Sequence, residues 1–167
     1  TNPLGPADAW VMKLDTLGNI LWRNSYGGSS SDFFQSIDTT FDGGFIAAGF
    51  TLSNDHDVSG NHGMSDYWIV KLDSNGVIQW QKCYGGTDVE DIKDIHQTTD
   101  SGYILAGNTY STDGDVIGQH SCAGCDPDVW VLKLDKLGDI QWQRCLGSGF
   151  YEDCGQITET YDHSFVV

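Results

Sequence analysis

Asp66-Tyr-Trp-Ile-Val-Lys-Leu-Asp73 is the stretch that decides the fold, because closely similar stretches begin at Asp8 and at Asp128. These read Asp8-Ala-Trp-Val-Met-Lys-Leu-Asp15 and Asp128-Val-Trp-Val-Leu-Lys-Leu-Asp135, and all six tryptophans of the chain keep one spacing within this pattern. A glycine and an isoleucine follow each copy at matched positions. Such agreement indicates three tandem repeats, and a period of about 60 residues is typical of solenoids, propellers and arrays.

Each repeat predicts four short β-strands. From Tyr67 to Leu72, successive side chains alternate between two faces, which is the period of a strand. The following Ser74-Asn-Gly76 predicts a hairpin turn, since glycine readily adopts the positive φ angles of such turns. The other strands predicted in this repeat are Val77–Tyr84, Ile92–Thr98 and Tyr103–Thr109. No window combines helical spacing with capping residues, so almost no helix is expected.

The predicted fold class is all-β, with tandem four-stranded antiparallel meanders forming three blades of a β-propeller. A single blade cannot bury both of its faces, so the repeated tryptophans are expected to pack between stacked blades. The predicted divisions are blade 1 with its flanking loops at 1–65, blade 2 with a long acidic, cysteine-containing loop at 66–127, and blade 3 at 128–167, truncated in its last strand. Propellers typically have about 4–8 blades. We therefore expect a fragment of a larger ring, completed by further blades of the same longer chain or by other copies.

The charge of the chain limits its partners. It has 8 Lys and Arg against 24 Asp and Glu, a formal net charge of -16. A surface this negative repels phosphate backbones, so nucleic acid is excluded as a partner. No stretch approaches the roughly 20 apolar residues of a membrane span, so no membrane insertion is expected. An acidic surface of this kind suits cations and a soluble protein outside the cell, and we predict an extracellular or cell-surface location.

In an antiparallel meander, alternate turns lie on the same edge, and here one edge has only tight turns. The opposite edge, which we call the long-loop face, comprises the connections that begin at Gly27 and Gly85 and the loops 54–62 and 112–120. Most of the length and the variation between repeats lies there, so binding of a protein or glycan partner is predicted there.

Four aspartates of this face form a candidate calcium site: Asp55, Asp57, Asp113 and Asp115. The first two match the last two in register, and alternating carboxylates in a glycine-containing loop supply the oxygen ligands that Ca²⁺ needs. The spacing is not that of an EF-hand loop. Alternatively, the same side chains accept hydrogen bonds from the backbone and form turns, and the sequence leaves both interpretations open.

The chain has five cysteines, an odd number, so one of them is free or has a partner elsewhere. Cys122-Ala-Gly-Cys125 is a candidate for a loop disulfide, for a redox pair, or, with His120, for half of a zinc site. Cys145 and Cys154 flank one strand–loop–strand connection. They are candidates for a bridge or for plain buried thiols.

Paired carboxylates occur as Glu90 with Asp91 and Glu152 with Asp153, and they are candidates for ligand binding at the long-loop face. Such pairs can perform acid–base chemistry, as in glycosidases. A catalytic pair should nevertheless be unique, and these recur in successive repeats. The chain also contains no recognised catalytic motif, and we predict that it is not an enzyme.

The repeated pattern Asp-x-Trp-x-x-Lys-Leu-Asp-x-x-Gly-x-Ile-x-Trp, then Tyr-Gly-Gly, then Asp-x-Gly-Phe/Tyr-Ile-x-Ala-Gly-x-Thr, resembles bacterial β-propeller repeats. Such repeats occur in large secreted and surface proteins, especially of Bacteroidetes-type bacteria, often with sorting domains for type IX secretion. The resemblance implies that Ile92–Thr98 is the innermost strand of its blade and that Val77–Tyr84 is an outer one.

From these features we expect a non-enzymatic extracellular module for adhesion, scaffolding or surface assembly, with calcium as a candidate stabiliser. Alternatives are a glycan-binding or glycan-active propeller and an accessory domain of a larger secreted enzyme. A glycan site would present exposed aromatic rings, with Tyr67, Tyr110, Phe150 and Tyr151 as candidates.

Overall fold

The computed structural model describes residues 5–120 and 126–167, and within these ranges it contains strands and turns but no helix. Consequently, none of the described residues belongs to a helix that could span a membrane. The described residues form twelve strands: β1 (Ala9–Leu14), β2 (Ile20–Tyr26), β3 (Asp32–Thr39), β4 (Phe45–Thr51), β5 (Asp66–Leu72), β6 (Ile78–Tyr84), β7 (Glu90–Gln97), β8 (Tyr103–Thr109), β9 (Asp128–Leu134), β10 (Ile140–Leu146), β11 (Thr158–Glu159) and β12 (Phe165–Val166).

The strands form antiparallel meanders, as predicted. Two sheets have four strands each, in the orders β3-β4-β5-β6 and β10-β9-β8-β7, and the described residues also form two-stranded sheets from β1 with β2 and from β11 with β12. The strand predicted at Tyr103–Thr109 has the bounds of β8, and the strands predicted beside it agree with β6 and β7 to within two residues. The all-β class and the four-stranded meanders are thereby confirmed.

The sheets group the strands differently from the sequence repeat. Asp66 pairs with Thr51, and Asp128 pairs with Thr109, so the divisions predicted before residues 66 and 128 fall inside four-stranded sheets. The reason is that the long loops between β4 and β5, and between β8 and β9, return the chain to the same sheet. The short glycine connection after Tyr84 instead carries the chain to the next sheet. Each four-stranded sheet therefore combines the last half of one repeat with the first half of the next.

A short parallel bridge joins the first four-stranded sheet to the second. Ser65 bridges Val89, and the amide of Glu90 donates a hydrogen bond of 2.7 Å to the carbonyl of Ser65. The same arrangement links Ala7 to Ser31 one repeat earlier. Because the edge strand β7 also contacts β3 and β4, the two four-stranded sheets lie side by side along these strands.

The buried core lies in layers between neighbouring sheets. One layer fills the space between the two four-stranded sheets and includes Tyr67 and Trp130, whose ring centroids are 5.0 Å apart. A second layer packs β1 and β2 against Trp68 and its neighbours, and a third packs Ile157 against the far side of the second four-stranded sheet. Trp68 and Trp130 are 0% exposed, whereas the equivalent Trp10 is 61% exposed.

Gly49 makes one of these layers possible. It pairs with Phe34 on one side and Trp68 on the other, and those two rings stack with centroids 5.0 Å apart. A Cβ at Gly49 would collide with the carbonyl oxygen of Phe33. The glycine of the Ala-Gly motif is thus required by the close approach of the neighbouring strand.

Candidate functional site

The long loops of the long-loop face fold back onto the glycine connections that cross between sheets. Asp55 Oδ1 accepts a hydrogen bond of 2.7 Å from the amide of Ser29, and Asp57 Oδ2 accepts one of 3.3 Å from the amide of Gly27. The carbonyl of Gly27 in turn accepts the amide of Asp57. The loop thereby supplies acceptors to a connection that has no strand partner.

The next repeat reproduces this arrangement. Asp113 accepts hydrogen bonds from the amide and the hydroxyl of Thr87, at 2.8 and 2.9 Å. Asp115 Oδ2 accepts the amide of Gly85 at 3.3 Å. Hydrogen bonds from the amides of Ser29 and Thr87 lower the pKa of Asp55 and of Asp113, respectively, from their ordinary values.

These contacts bear on the predicted calcium site. The carboxylates of the four aspartates point at amide and hydroxyl donors, so a cation would have to compete with those donors. Within residues 5–120 and 126–167, no group of three or more His, Cys, Asp or Glu is arranged to hold a metal ion. These hydrogen bonds join the loops to distant connections rather than closing local turns, and both the calcium and the turn interpretations stay predictions.

Glu90 and Asp91 point in different directions because they are neighbours in strand β7. Glu90 is fully buried, with Oε1 accepting the hydroxyl of Thr109 at 2.7 Å and Oε2 accepting the amide of Gly86 at 2.9 Å. Asp91 is partly exposed and forms an ion pair with Lys93. The two carboxylates therefore form no shared site, and Glu90 has no surface to offer a ligand.

Glu152 and Asp153 are also divided. Glu152 Oε1 accepts the amide and hydroxyl of Ser148, at 3.1 and 2.6 Å, and is partly buried. Asp153 is exposed and accepts the amide of Cys154. Of the four ligand-face candidates, Asp153 has the greatest access to solvent.

The cysteine predictions have different outcomes. Cys122 and Cys125 lie outside the described residues. Cys145 and Cys154 are both free thiols, so the bridge considered between them is absent. The physical reason is their placement, since Cys145 packs between the two four-stranded sheets and Cys154 packs on the far side of the second one. Burial raises the pKa of Cys145 to about 12 and that of Cys154 to about 11, which suits inert structural thiols.

Histidines at the ends of the long loops hold the first residue of the next strand, a feature that the sequence analysis missed. His62 Nδ1 lies 2.6 Å from Asp66 Oδ2, and His120 Nδ1 lies 2.7 Å from Asp128 Oδ2. The backbone amide of each histidine donates to the same carboxylate oxygen. The matched positions of His62 and His120 in the two loops were the available signal.

The lysine of the repeated motif has a buried structural role that was also missed. Lys71 is 4% exposed, and its Nζ contacts Asp42 at 2.9 Å, the carbonyl of Leu72 at 3.0 Å and Gln79 at 2.9 Å. Lys133 makes the equivalent contacts with Asp100, Leu134 and Gln141. The recurrence of Lys after Trp, and of Asp in the Asp-x-Gly turn, could have predicted this pair.

The edge strands β3 and β7 carry a polar cluster where the two four-stranded sheets meet. Gln35 donates to Asp91 at 2.7 Å, and Ser36 donates to Asp94 at 2.9 Å. His96 lies between two carboxylates, with Nδ1 3.1 Å from Asp38 and Nε2 3.2 Å from Asp94. The contacts of Ser36 with Asp94 and of Asp38 with His96 join equivalent positions of neighbouring sheets, so they serve the packing of one repeat on the next.

Surface features accessible to a ligand in the described part of the chain include an open depression and a pair of exposed aromatic rings. An open depression of about 460 Å³ lies where the first four-stranded sheet meets the second, and its lining includes His62, Lys82 and Asp115. Phe150 and Tyr151 are 76% and 62% exposed, next to Asp153. Of the other aromatic candidates, Tyr110 is partly buried and Tyr67 is fully buried.

No protein-family model matches this chain, and no curated protein matches it significantly.

Proposed function

We propose that the chain is a non-enzymatic repeat module of an extracellular β-propeller that acts in adhesion, scaffolding or surface assembly. Its sheets form a series in which each sheet packs on the next through the same contacts. The module presents the long-loop face to a protein or glycan partner, and its role is to hold that face rigidly.

One observation carries this proposal: the polar side chains of the repeated motifs contact other parts of the same chain, and they do so in the same way in successive repeats. The ion pair of Lys71 with Asp42 recurs as that of Lys133 with Asp100. The hydrogen bond that Asp55 accepts from the amide of Ser29 recurs between Asp113 and the amide of Thr87. Reactive chemistry needs a group that differs from its copies, whereas repeated internal contacts stabilise a framework.

The exposed edge strands support the propeller part of the proposal. Among the described strands, β1 has β2 as its neighbour and β12 has β11, whereas β5 and β9 each have two neighbours. Trp10 of β1 is 61% exposed although its equivalents are buried. In a closed ring, a strand equivalent to β4 or β8 would pair with β1, and a further sheet would cover Trp10.

A panel of chromogenic glycosides and ester and peptide substrates, assayed with the purified protein, tests the non-enzymatic part. We expect no turnover above the background of a heat-denatured control. Turnover that is lost in Glu152→Gln or Asp153→Asn, but kept in the surface control Lys136→Gln, would contradict the proposal.

Labelling of intact cells with an antibody against this chain tests the location, and we expect labelling without permeabilisation. Labelling that requires permeabilised cells would exclude a surface role.

A second candidate function is glycan binding, which the exposed rings of Phe150 and Tyr151 favour, since sugar rings pack on aromatic faces. A glycan array decides this candidate. Binding that is lost in Phe150→Ala with Tyr151→Ala, but kept in Tyr161→Ala, would identify these rings as the site. Tyr161 is a suitable control because its ring is exposed too and lies on a tight turn. An array without hits would eliminate the candidate.

A further inference from the structure

Two carboxyl groups border one small space where the second four-stranded sheet meets the segment that follows it. Asp128 is 0% exposed, and its Oδ1 has no hydrogen-bond partner in the part of the chain that the structure describes. The same holds for Oε2 of Glu152. A Cβ built on Gly147 would lie 2.6 Å from the first of these oxygens and 2.8 Å from the second. Both oxygens thus border the same small space beside Gly147.

The preceding repeat has the same arrangement at the contact between the two four-stranded sheets. Asp66 is 0% exposed, and its Oδ1 also has no partner among the described residues. A Cβ on Gly85 would lie 2.8 Å from this oxygen and would collide with Oε2 of Glu90. Asp66 begins β5 and Glu90 begins β7, so the pair spans two sheets next to the parallel bridge of Ser65 with Val89.

We infer that Asp66 and Glu90 share one proton and so form a pH-sensitive latch between the two four-stranded sheets. One hydrogen on Asp66 Oδ1, donated to Glu90 Oε2, gives the unpartnered oxygen of Asp66 a partner. Without that proton, two like charges would border one space that is closed to bulk solvent, since both residues are 0% exposed, and this is strongly unfavourable.

A proton fits this space better than a metal ion does. Ca²⁺ needs six to eight oxygen ligands at about 2.3–2.6 Å. At this pair, the remaining carboxylate oxygens already accept hydrogen bonds, from His62 to Asp66 Oδ2 and from Thr109 to Glu90 Oε1. Glycine backbone fills the space on one side, at Gly85.

Other titratable groups face this pair from neighbouring elements. His62 and Asp115 of the long loops, with Cys83 of β6, act on Asp66. Glu90 also acts on Tyr67 and on Cys145. The cationic candidate among these groups is His62, whose side chain is 40% exposed.

The sign of the pH effect follows from burial. Burial raises the pKa of Asp66 and of Glu90 above their ordinary values. A carboxyl group with a raised pKa in the folded state binds protons on folding, so its contribution to stability decreases as the pH rises from the unfolded pKa of about 4 towards the folded pKa. His62 acts in the same direction, because the hydrogen bond to Asp66 raises its pKa although burial opposes this. The contribution of His62 to the pH dependence of stability must therefore be measured separately.

The test compares the melting temperatures of the protein and of Asp66→Asn between pH 5 and pH 8. An asparagine keeps an oxygen for the histidine and offers an amide hydrogen to Glu90. We expect Asp66→Asn to melt a few degrees higher than the parent at pH 8 and to have a smaller pH slope. His62→Gln removes the contribution of the histidine, and adding Asp66→Asn to it should reduce the remaining slope, whereas the exposed Asp139→Asn should keep the slope of the parent.

Infrared spectroscopy gives a second readout that does not depend on stability. The parent protein at pH 6 should show the carbonyl band of a protonated carboxyl group, and Asp66→Asn should lose it. Absence of this band in the parent, or an Asp66→Asn variant that melts lower than the parent at pH 8, would overturn the inference. A rise in melting temperature on adding Ca²⁺ that Asp66→Asn abolishes would also overturn it, in favour of a shared cation.

Discussion

At the scale of single residues, the tight Asp-x-Gly turns show where a small substitution has a defined effect. The middle residue has positive φ in both of these turns, 81° at Gly43 and 68° at Ser101, and also in the equivalent turn Asp162-His-Ser164, where it is 64° at His163. The glycine that recurs in the motif is the next residue, for example Gly102. It is needed because a Cβ there would lie 2.5 Å from Nζ of Lys133 and would collide with the carbonyl of Leu134.

We therefore expect Ser101→Gly to stabilise the protein by about 0.5–1 kcal/mol, because it relieves a left-handed conformation that costs other residues free energy. Urea unfolding with a linear extrapolation measures this change. Gly102→Ala is the matched control and should destabilise. Equal losses in both variants would mean that the turn is not held as described.

The buried lysines predict a response to acid. Hydrogen bonds from Thr40 and Lys71 lower the pKa of Asp42 to about 2, and Asp100 reaches about 2 because contacts with Lys133 and Thr98 outweigh its burial. Since these folded pKa values lie below the unfolded value of about 3.9, the stabilisation is present above pH 4 and is lost as the pH falls from about 4 to about 2.

Lys71→Met should therefore flatten the pH dependence of the unfolding free energy between pH 4 and pH 2. The control is Lys82→Met, since Lys82 pairs with Asp139 at the surface, where an ion pair contributes little. A slope that is unchanged in Lys71→Met and reduced in Lys82→Met would contradict the assignment.

At the scale of elements, the strands were predictable from the sequence and their grouping was not. The stretch from Tyr67 to Leu72 is buried on both faces of β5, so it is mostly apolar throughout, and the turns beside it located the strand ends to within two residues. The choice of which strands share a sheet depends on the path of the loops. A long loop such as 54–62 returns to its own sheet, and nothing in its composition indicates this.

The site residues show the same division. Repetition could have predicted the pairs of Lys71 with Asp42 and of His62 with Asp66. The separation of Cys145 from Cys154 depends on which side of a sheet each thiol lies, which chain distance does not give. The orientation of Glu90 into the interior is likewise set by the contact between sheets.

The hydrogen bonds that the aspartates of the long loops accept lead to a prediction for the long-loop face. Asp113→Asn should lower the melting temperature by a few degrees, because a neutral amide is a weaker acceptor for the amide and hydroxyl of Thr87. Differential scanning calorimetry measures this, with Asp88→Asn in the facing connection as the control for charge. The loss should be the same with Ca²⁺ as with a chelator. A larger loss with Ca²⁺ than with chelator would instead identify the aspartates as calcium ligands.

At the scale of the whole molecule, the exposure of the tryptophans distinguishes a contact between two sheets from a sheet face that no described sheet covers. Trp68 and Trp130 are fully buried between sheets, so Trp68→Ala should cost about 3–5 kcal/mol. Trp10→Ala should cost much less in this chain, because 61% of the residue is exposed. Urea unfolding compares the two variants, and equal costs would show that Trp10 is already buried in solution by a contact between chains.

The proposed ring rests on the contrast between Trp10 and its buried equivalents, and a crystal structure of the intact protein in its native assembly tests it most directly. The account predicts that β1 pairs with an antiparallel strand equivalent to β4, that Trp10 is buried, and that the sheets close around an axis lined by β3 and β7. Sheets that continue as an open series, with Trp10 still exposed to solvent, would contradict it.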